Sequence, residues 1–288
     1  MPYFYLIVSI LGDSSASVLG TFFNRKNEGK KDAAPLYSLI CILSALLCWF
    51  VMFLFDGSYE WSVLPYSIGI GITFAIASLS TVYALKTGPV VLTSLILQLS
   101  LIGVTIWGFF FWDTSFTGLI ALGLVLIVIA LWLCLYNKEK EENKISWQWI
   151  FWVSIIFIGN AACSIIQTTQ QMNYNGAYIN FVMLGAMFFA SLFCFIVYLK
   201  CDKSDMEEIA KATWYFPVGG GIFNAVMNLC LMLLATSFLS PSFRFPVLAI
   251  GSLAVTTVFS AFVFKEKMRW WQWVGVAIGS IAVAILSI

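Results

Sequence analysis

Ten stretches of apolar sequence, each long enough to cross a bilayer, follow one another along this chain. They run approximately over residues 3–23, 35–55, 63–86, 89–112, 115–136, 148–170, 177–199, 214–236, 240–264 and 270–287. At 1.5 Å rise per residue, about 20 helical residues cross a hydrocarbon core roughly 30 Å thick. The connections leave no room for a soluble domain: the longest are 24–34, 137–147 and 200–213. Composition agrees, with 61% hydrophobic and 10% charged residues, where soluble domains carry about 25% charged. The expected fold is an all-α integral membrane protein of ten transmembrane helices. The N-terminus has no basic region ahead of the first apolar span, which is therefore expected to be a retained helix, not a cleaved signal peptide.

Several chemistries are disfavoured. A net charge of +1 gives nucleic acid no basic surface to bind. Histidine is absent, which removes the commonest general base and metal ligand. The seven cysteines (Cys41, Cys48, Cys134, Cys163, Cys194, Cys201 and Cys230) form no C-x-x-C pair, and all but Cys201 lie in apolar spans. They read as reduced hydrophobes. No enzyme, cofactor or metal site is expected.

Lysine and arginine set the orientation. Fourteen of the fifteen basic residues follow or end odd-numbered spans: Arg25, Lys26, Lys30, Lys31, Lys86, Lys138, Lys140, Lys144, Lys200, Lys203, Lys211, Lys265, Lys267 and Arg269. Only Arg244 lies near the other side. This bias predicts that the loops leaving odd spans are cytoplasmic and that both termini are extracytoplasmic. A belt of tryptophans, including Trp147, Trp149, Trp214 and Trp270, falls at the cytoplasmic interface.

The chain also repeats itself. Gly69 and Gly221 are 152 residues apart, as are Pro89 and Pro241, while Asp113 and Glu266 are 153 apart. Residues 11–17 align with 158–164 at an offset of 147. Five spans is an odd number, so the second unit must lie inverted relative to the first, an architecture of secondary transporters. The predicted units are 1–136 and 148–288, joined by a cytoplasmic linker at 137–147.

One acid lies deep in a span. Asp13 is about ten residues into the first, near the bilayer middle. Ser9, Asp13, Ser17, Thr21 and Asn24 recur at helical spacing and form one polar stripe. An intramembrane carboxylate is costly unless it faces protein, water or a ligand, and it is a functional candidate by default. Its counterpart in the repeat is Asn160, which heads a second stripe of Ser164, Gln167 and Gln171. Gln98 lies mid-span, and Asn224 and Asn228 share one face of the eighth span. Such amides can also simply bond helices together. Arg244 lies among two prolines at the start of the ninth span. It could pair with Asp13, bind an anionic group or snorkel to the surface, and the prolines could break the helix. The candidate substrate- and proton-binding residues are thus Asp13, Ser17, Gln98, Asn160, Ser164, Asn224, Asn228 and Arg244.

The segments 83–135 (YALKTGPVVLTSLI…WGFFFWD…GLIALGLVLIVIA) and 234–286 (LLATSFLSPSFRFPVL…FVFKEKMRWWQWVGVAIGSIAVAIL) each carry a span closed by an acid and followed by a Gly-rich final helix. With the rest of the chain they resemble the drug/metabolite transporter superfamily, ten-helix EamA-type branch. The opening residues 2–13 (PYFYLIVSILGD) are similar to the first helix of the small multidrug resistance family, whose embedded acid binds protons and cationic drugs in competition. Asp13 falls at the matching position, which implies proton-coupled antiport.

The sequence therefore predicts a secondary transporter of a small metabolite or a cationic or amphipathic compound, working by alternating access in the inner or plasma membrane. Its expected partners are the small-molecule substrate, protons as the coupling ion and the lipid bilayer. It is expected as a monomer or homodimer. The alternatives are an uncoupled facilitator of a neutral metabolite (sugar, nucleoside or amino acid) and a non-transporting membrane scaffold.

Overall fold

The computed structural model describes residues 1–27, 30, 33–87, 90–112, 116–135, 146–201, 205–263 and 269–286. The described residues form eleven α-helices and one 3-10 turn, Trp61–Val63. The helices are α1 (Pro2–Lys26), α2 (Ala33–Asp56), α3 (Leu64–Thr87), α4 (Val90–Phe111), α5 (Gly118–Leu135), α6 (Trp147–Asn173), α7 (Ile179–Leu199), α8 (Met206–Thr213), α9 (Tyr215–Ala235), α10 (Pro241–Val263) and α11 (Trp270–Leu286). Seven of them contain stretches long and apolar enough to cross a membrane; α4, α5 and α11 contribute shorter apolar stretches. The chain is a multi-pass membrane protein. The expected linker residues 137–145, and Pro89, Asp113 and Glu266 of the sequence repeat, lie outside the described residues.

Local chemistry explains the helix ends. Pro2 opens α1, where its missing N–H costs nothing, and Arg25 and Lys26 close it against the negative end of the helix dipole. Ser146 caps α6 by accepting from the Trp149 N–H at 3.1 Å. Pro241 opens α10. Pro246 lies inside that helix, which nonetheless continues unbroken to Val263. The expectation of a broken ninth span is corrected: five residues from its start, Pro246 removes one hydrogen bond, and packing of the helix outweighs that loss.

The eight-residue α8 interrupts what the sequence suggested was a plain loop at 200–213. It buries Met206, Ile209 and Thr213 while exposing Glu207, Glu208 and Lys211. Met206 and Ile209 join Phe23 and Leu36 in a small core. Asn27 bonds Thr213 at 3.2 Å, and Lys30 pairs with Glu208 at 2.9 Å. These contacts tie the end of α1 to the start of α9.

The packing partners trace a closed ring. α1 lies against α9, α9 against α2, α2 against α7, α7 against α3, α3 against α6, α6 against α4, α4 against α10, and α10 against α1. α5 and α11 pack on each other and on α10, and α5 also on α4. The largest core cluster lies where α2, α3, α7 and α9 meet, around Trp49, Val182, Met183 and Met187, all nearly inaccessible. Two crossings are unusually close. Gly71 of α3 faces the Ala186 carbonyl of α7, and Gly221 of α9 faces the Cys41 carbonyl of α2. A Cβ at either glycine would meet backbone, so these helices touch only because the side chain is absent.

Contacts between loops define two faces. On one, Asp56 meets Asn180, Tyr66 meets Asn173, and Tyr3 meets Phe238. On the other, Lys26 bonds Tyr215 and Ser146 bonds the Thr87 carbonyl. Arg25, Lys26, Lys30, Lys200, Lys211 and Arg269 all belong to helix ends of the second, basic face.

Candidate functional site

The polar stripe of α1 changes character along its length. Ser9 is fully buried and donates to the Tyr5 carbonyl at 2.9 Å and towards the Met227 carbonyl of α9 at 3.5 Å. Asp13 is half-buried, and its carboxyl lies beside the Ser252 side chain of α10. Ser17 and Asn24 are exposed and Thr21 between them is half-buried. From Asp13 onwards the stripe is therefore open or half-open towards the basic face. Neighbouring Ser14 donates to the Ser252 carbonyl at 3.1 Å, so two successive residues of α1 meet one residue of α10.

The stripe of α6 runs the other way through the membrane and shows the same gradient. Asn160 and Ser164, nearer the basic face, are half-buried; Gln167, Gln170 and Gln171, nearer the opposite face, are buried. Gln167 donates to Asn228 Oδ1 of α9 at 3.0 Å, and Asn228 donates to the Asn224 carbonyl at 2.9 Å and to Asn224 Oδ1 at 3.1 Å. Gln171 donates to Gln170 Oε1. The Gln170 amide donates to the Ala177 carbonyl at 3.2 Å, fixing the turn between α6 and α7. Asn224 is half-buried and Asn228 buried, so α9 repeats the gradient.

Arg244 closes the buried end. It is only 1% exposed, which rules out snorkelling to the surface. Its Nη1 donates to the Leu234 carbonyl at 2.6 Å and its Nη2 to Thr168 Oγ1 at 3.3 Å. Leu234 lies in the last turn of α9, where carbonyls lack helical partners and a cation is favoured. The guanidinium also lies over the Phe245 ring, 5.0 Å from its centroid. Among the described residues its Nε has no hydrogen-bond partner, nor does the buried Gln171 Oε1. Arg244 makes no ion pair with Asp13; its bonds are to neutral groups.

The profile of the EamA-like transporter family matches residues 144–288, half of the chain. The chain belongs to that family, within the drug/metabolite transporter superfamily. Twenty-nine chains of solved structures are similar to it. One, titled only "Crystal structure of protein", has a TM-score of 0.76 at 11% identity, covering 99% of this chain and 95% of its own. That likeness speaks for the fold. No curated protein matches the chain.

In this EamA-like protein the eight residues singled out from the sequence fall on five helices: α1, α4, α6, α9 and α10. Asn224 and Asn228 are bonded to each other, and Gln167 links them to α6. Gln98 of α4 is half-buried, as are Asn160 and Ser164. Two apolar grooves, about 650 and 290 Å³, are lined by none of the eight. Three partners were not foreseen. Ser252 and the Leu234 carbonyl carry no sequence signal, since each depends on which helices meet. Thr168 belongs to the run Gln167-Thr168-Thr169-Gln170-Gln171, whose density of polar residues inside an apolar span was the available clue.

Proposed function

We propose that this protein is a secondary active transporter, with α1, α6, α9 and α10 surrounding its substrate path. The observation that carries this reading is the shared gradient of the polar stripes. On three helices, polar side chains are open or half-open towards the basic face and buried towards the other, where Gln167–Asn228 and Arg244–Leu234–Thr168 form a seal. That is the pattern of a path open to one side only. The lysine and arginine bias makes the open side cytoplasmic and puts both termini outside the cell membrane. Alternating access then requires the seal to break as the other end closes.

The helix pairings support an inverted repeat of ten spanning helices, in units 1–136 and 148–288. Exchanging the five spans α1–α5 with α6, α7, α9, α10 and α11 turns the α1–α9 pair into α6–α3, α2–α9 into α7–α3, and α1–α10 into α6–α4; all six pairs are in contact. The glycines follow the same exchange. Gly12 meets the Phe223 carbonyl of α9 as Gly159 meets the Thr73 carbonyl of α3. Gly103 meets Phe157 of α6 as Gly251 meets Ile10 of α1. By this criterion the counterpart of Gly221 is Gly71, 150 residues earlier, not Gly69.

In this reading Asp13 takes the coupling proton or a cationic group of the substrate. Ser17, Gln98, Asn160, Ser164, Asn224 and Asn228 supply hydrogen bonds, and Arg244 is the outer gate. The substrate is a small metabolite or a cationic or amphipathic compound, and the protein works as a monomer or homodimer. Uptake into proteoliposomes of labelled amino acids, nucleosides, sugars and quaternary amines, with and without an imposed pH gradient, tests it. Gradient-dependent accumulation is expected. Uptake indifferent to the gradient identifies an uncoupled facilitator, and no uptake of any compound favours a scaffold.

A further inference from the structure

A groove of about 650 Å³ opens on the lipid-facing surface where α2, α3 and α7 meet, away from the stripes described above. Its walls are Leu43, Leu47, Phe50, Leu64 and Phe188 with their apolar neighbours, and its one hydroxyl is Ser67. Along α7 the lining runs from Phe181 to Phe189, about 12 Å at helical rise, which is most of one leaflet of the hydrocarbon core.

The rim is chemically different. Asp56 Oδ2 accepts from Ser58 Oγ at 2.5 Å and from Asn180 Nδ2 at 3.1 Å, both neutral partners. Glu60 is four residues on and also exposed. On either side of Glu60 in the chain, Tyr59 and Trp61, 59% and 67% exposed, lean on Phe181 with ring centroids 6.1 and 5.8 Å away. Carboxylates beside aromatic faces suit an ammonium group and repel an anion. Ser67 is fully buried against Gly185 of α7, so the floor of the groove is apolar and suits acyl chains.

We propose that this groove holds one aminophospholipid of the phosphatidylethanolamine type. Its acyl chains lie between α2 and α7, and its ammonium sits against Asp56 and the aromatic rim. The site is independent of the transport reading, and a failure of either leaves the other standing.

Native mass spectrometry of the detergent-purified, delipidated protein, offered phosphatidylethanolamine or phosphatidylglycerol with identical acyl chains, tests this. One phosphatidylethanolamine is expected to be retained, about threefold over phosphatidylglycerol, as one exposed ammonium–Asp56 contact permits. Leu47→Trp, which fills the groove from a position already 63% exposed, should abolish retention. Asp56→Asn should keep lipid bound but equalise the two headgroups. Equal retention of both headgroups by the wild type, detergent adducts alone, or retention unchanged in Leu47→Trp overturns the proposal. The wild-type comparison needs no variant, so it decides the matter even if Leu47→Trp does not fold.

Discussion

Gln167 of α6 donates to Asn228 of α9 over 3.0 Å, a direct polar bond between two helices whose main packing partners lie elsewhere in the ring. Asn228 is also held by Asn224, so removing it frees two groups at once. Asn228→Ala leaves Gln167 only the Met183 sulfur at 3.7 Å. A buried amide without a partner costs about 1–2 kcal/mol, towards the lower end in membrane bundles. The apparent melting temperature in detergent should therefore fall in Asn228→Ala and in Gln167→Ala. The double variant should lose less than the two losses combined, with a coupling of about 0.5–1.5 kcal/mol. Strictly additive losses would mean the bond contributes nothing.

The close crossings should be intolerant of one added carbon. In Gly221→Ala the new Cβ meets the Cys41 carbonyl and the Ala45 nitrogen, both backbone. Gly71→Ala drives into the Ala186 carbonyl. Backbone yields only if whole helices move, so each change should cost about 1–3 kcal/mol as overpacking. Gly118→Ala meets nothing within 4 Å and serves as the control, with no loss of stability expected. Equal melting temperatures for all three variants would contradict the described packing.

Much of the fold was legible because a helix in hydrocarbon must be long and apolar, and that constraint is written residue by residue. The ten apolar segments overlie α1 to α7 and α9 to α11. α8 escaped notice because eight mixed residues carry too little periodicity, although Met206 and Ile209 lie at helical spacing. The site was legible only as stripes: the spacing of Ser9, Asp13 and Ser17 puts them on one face but does not say what that face meets. Ser252 reached Asp13 through the α1–α10 contact, which no local pattern encodes. Arg244, one turn into its helix, leaves pairing with Asp13, anion binding and snorkelling all open in the sequence. Its burial depends on the end of α9 folding over it, a long-range fact.

The Arg244 fork provides a second stability prediction. Its two terminal nitrogens serve the Leu234 carbonyl and Thr168 Oγ1, on two different helices. Lysine keeps the charge but offers a single ammonium without the planar fork. Arg244→Lys should therefore lose about 1–3 kcal/mol of stability in thermal denaturation, and Thr168→Val, which frees only the longer bond, less than about 1 kcal/mol. A lysine variant as stable as the wild type would show that charge alone holds this end of the bundle.

Asp13 separates coupling from transport. The asparagine in Asp13→Asn keeps the size of the side chain beside Ser252 and removes a partly buried acid, so insertion into the membrane and melting temperature should change little. An amide cannot release and regain a proton as a carboxyl does. Asp13→Asn proteoliposomes should thus lose accumulation driven by a pH gradient, while exchange of labelled for unlabelled substrate, which needs no net proton movement, should continue. Asp13→Glu should retain both, since a carboxyl remains within a methylene of the same place. Loss of exchange together with accumulation in Asp13→Asn would instead make the carboxylate a direct contact of the substrate. Gradient-driven accumulation that survives the substitution would remove Asp13 from the coupling path altogether.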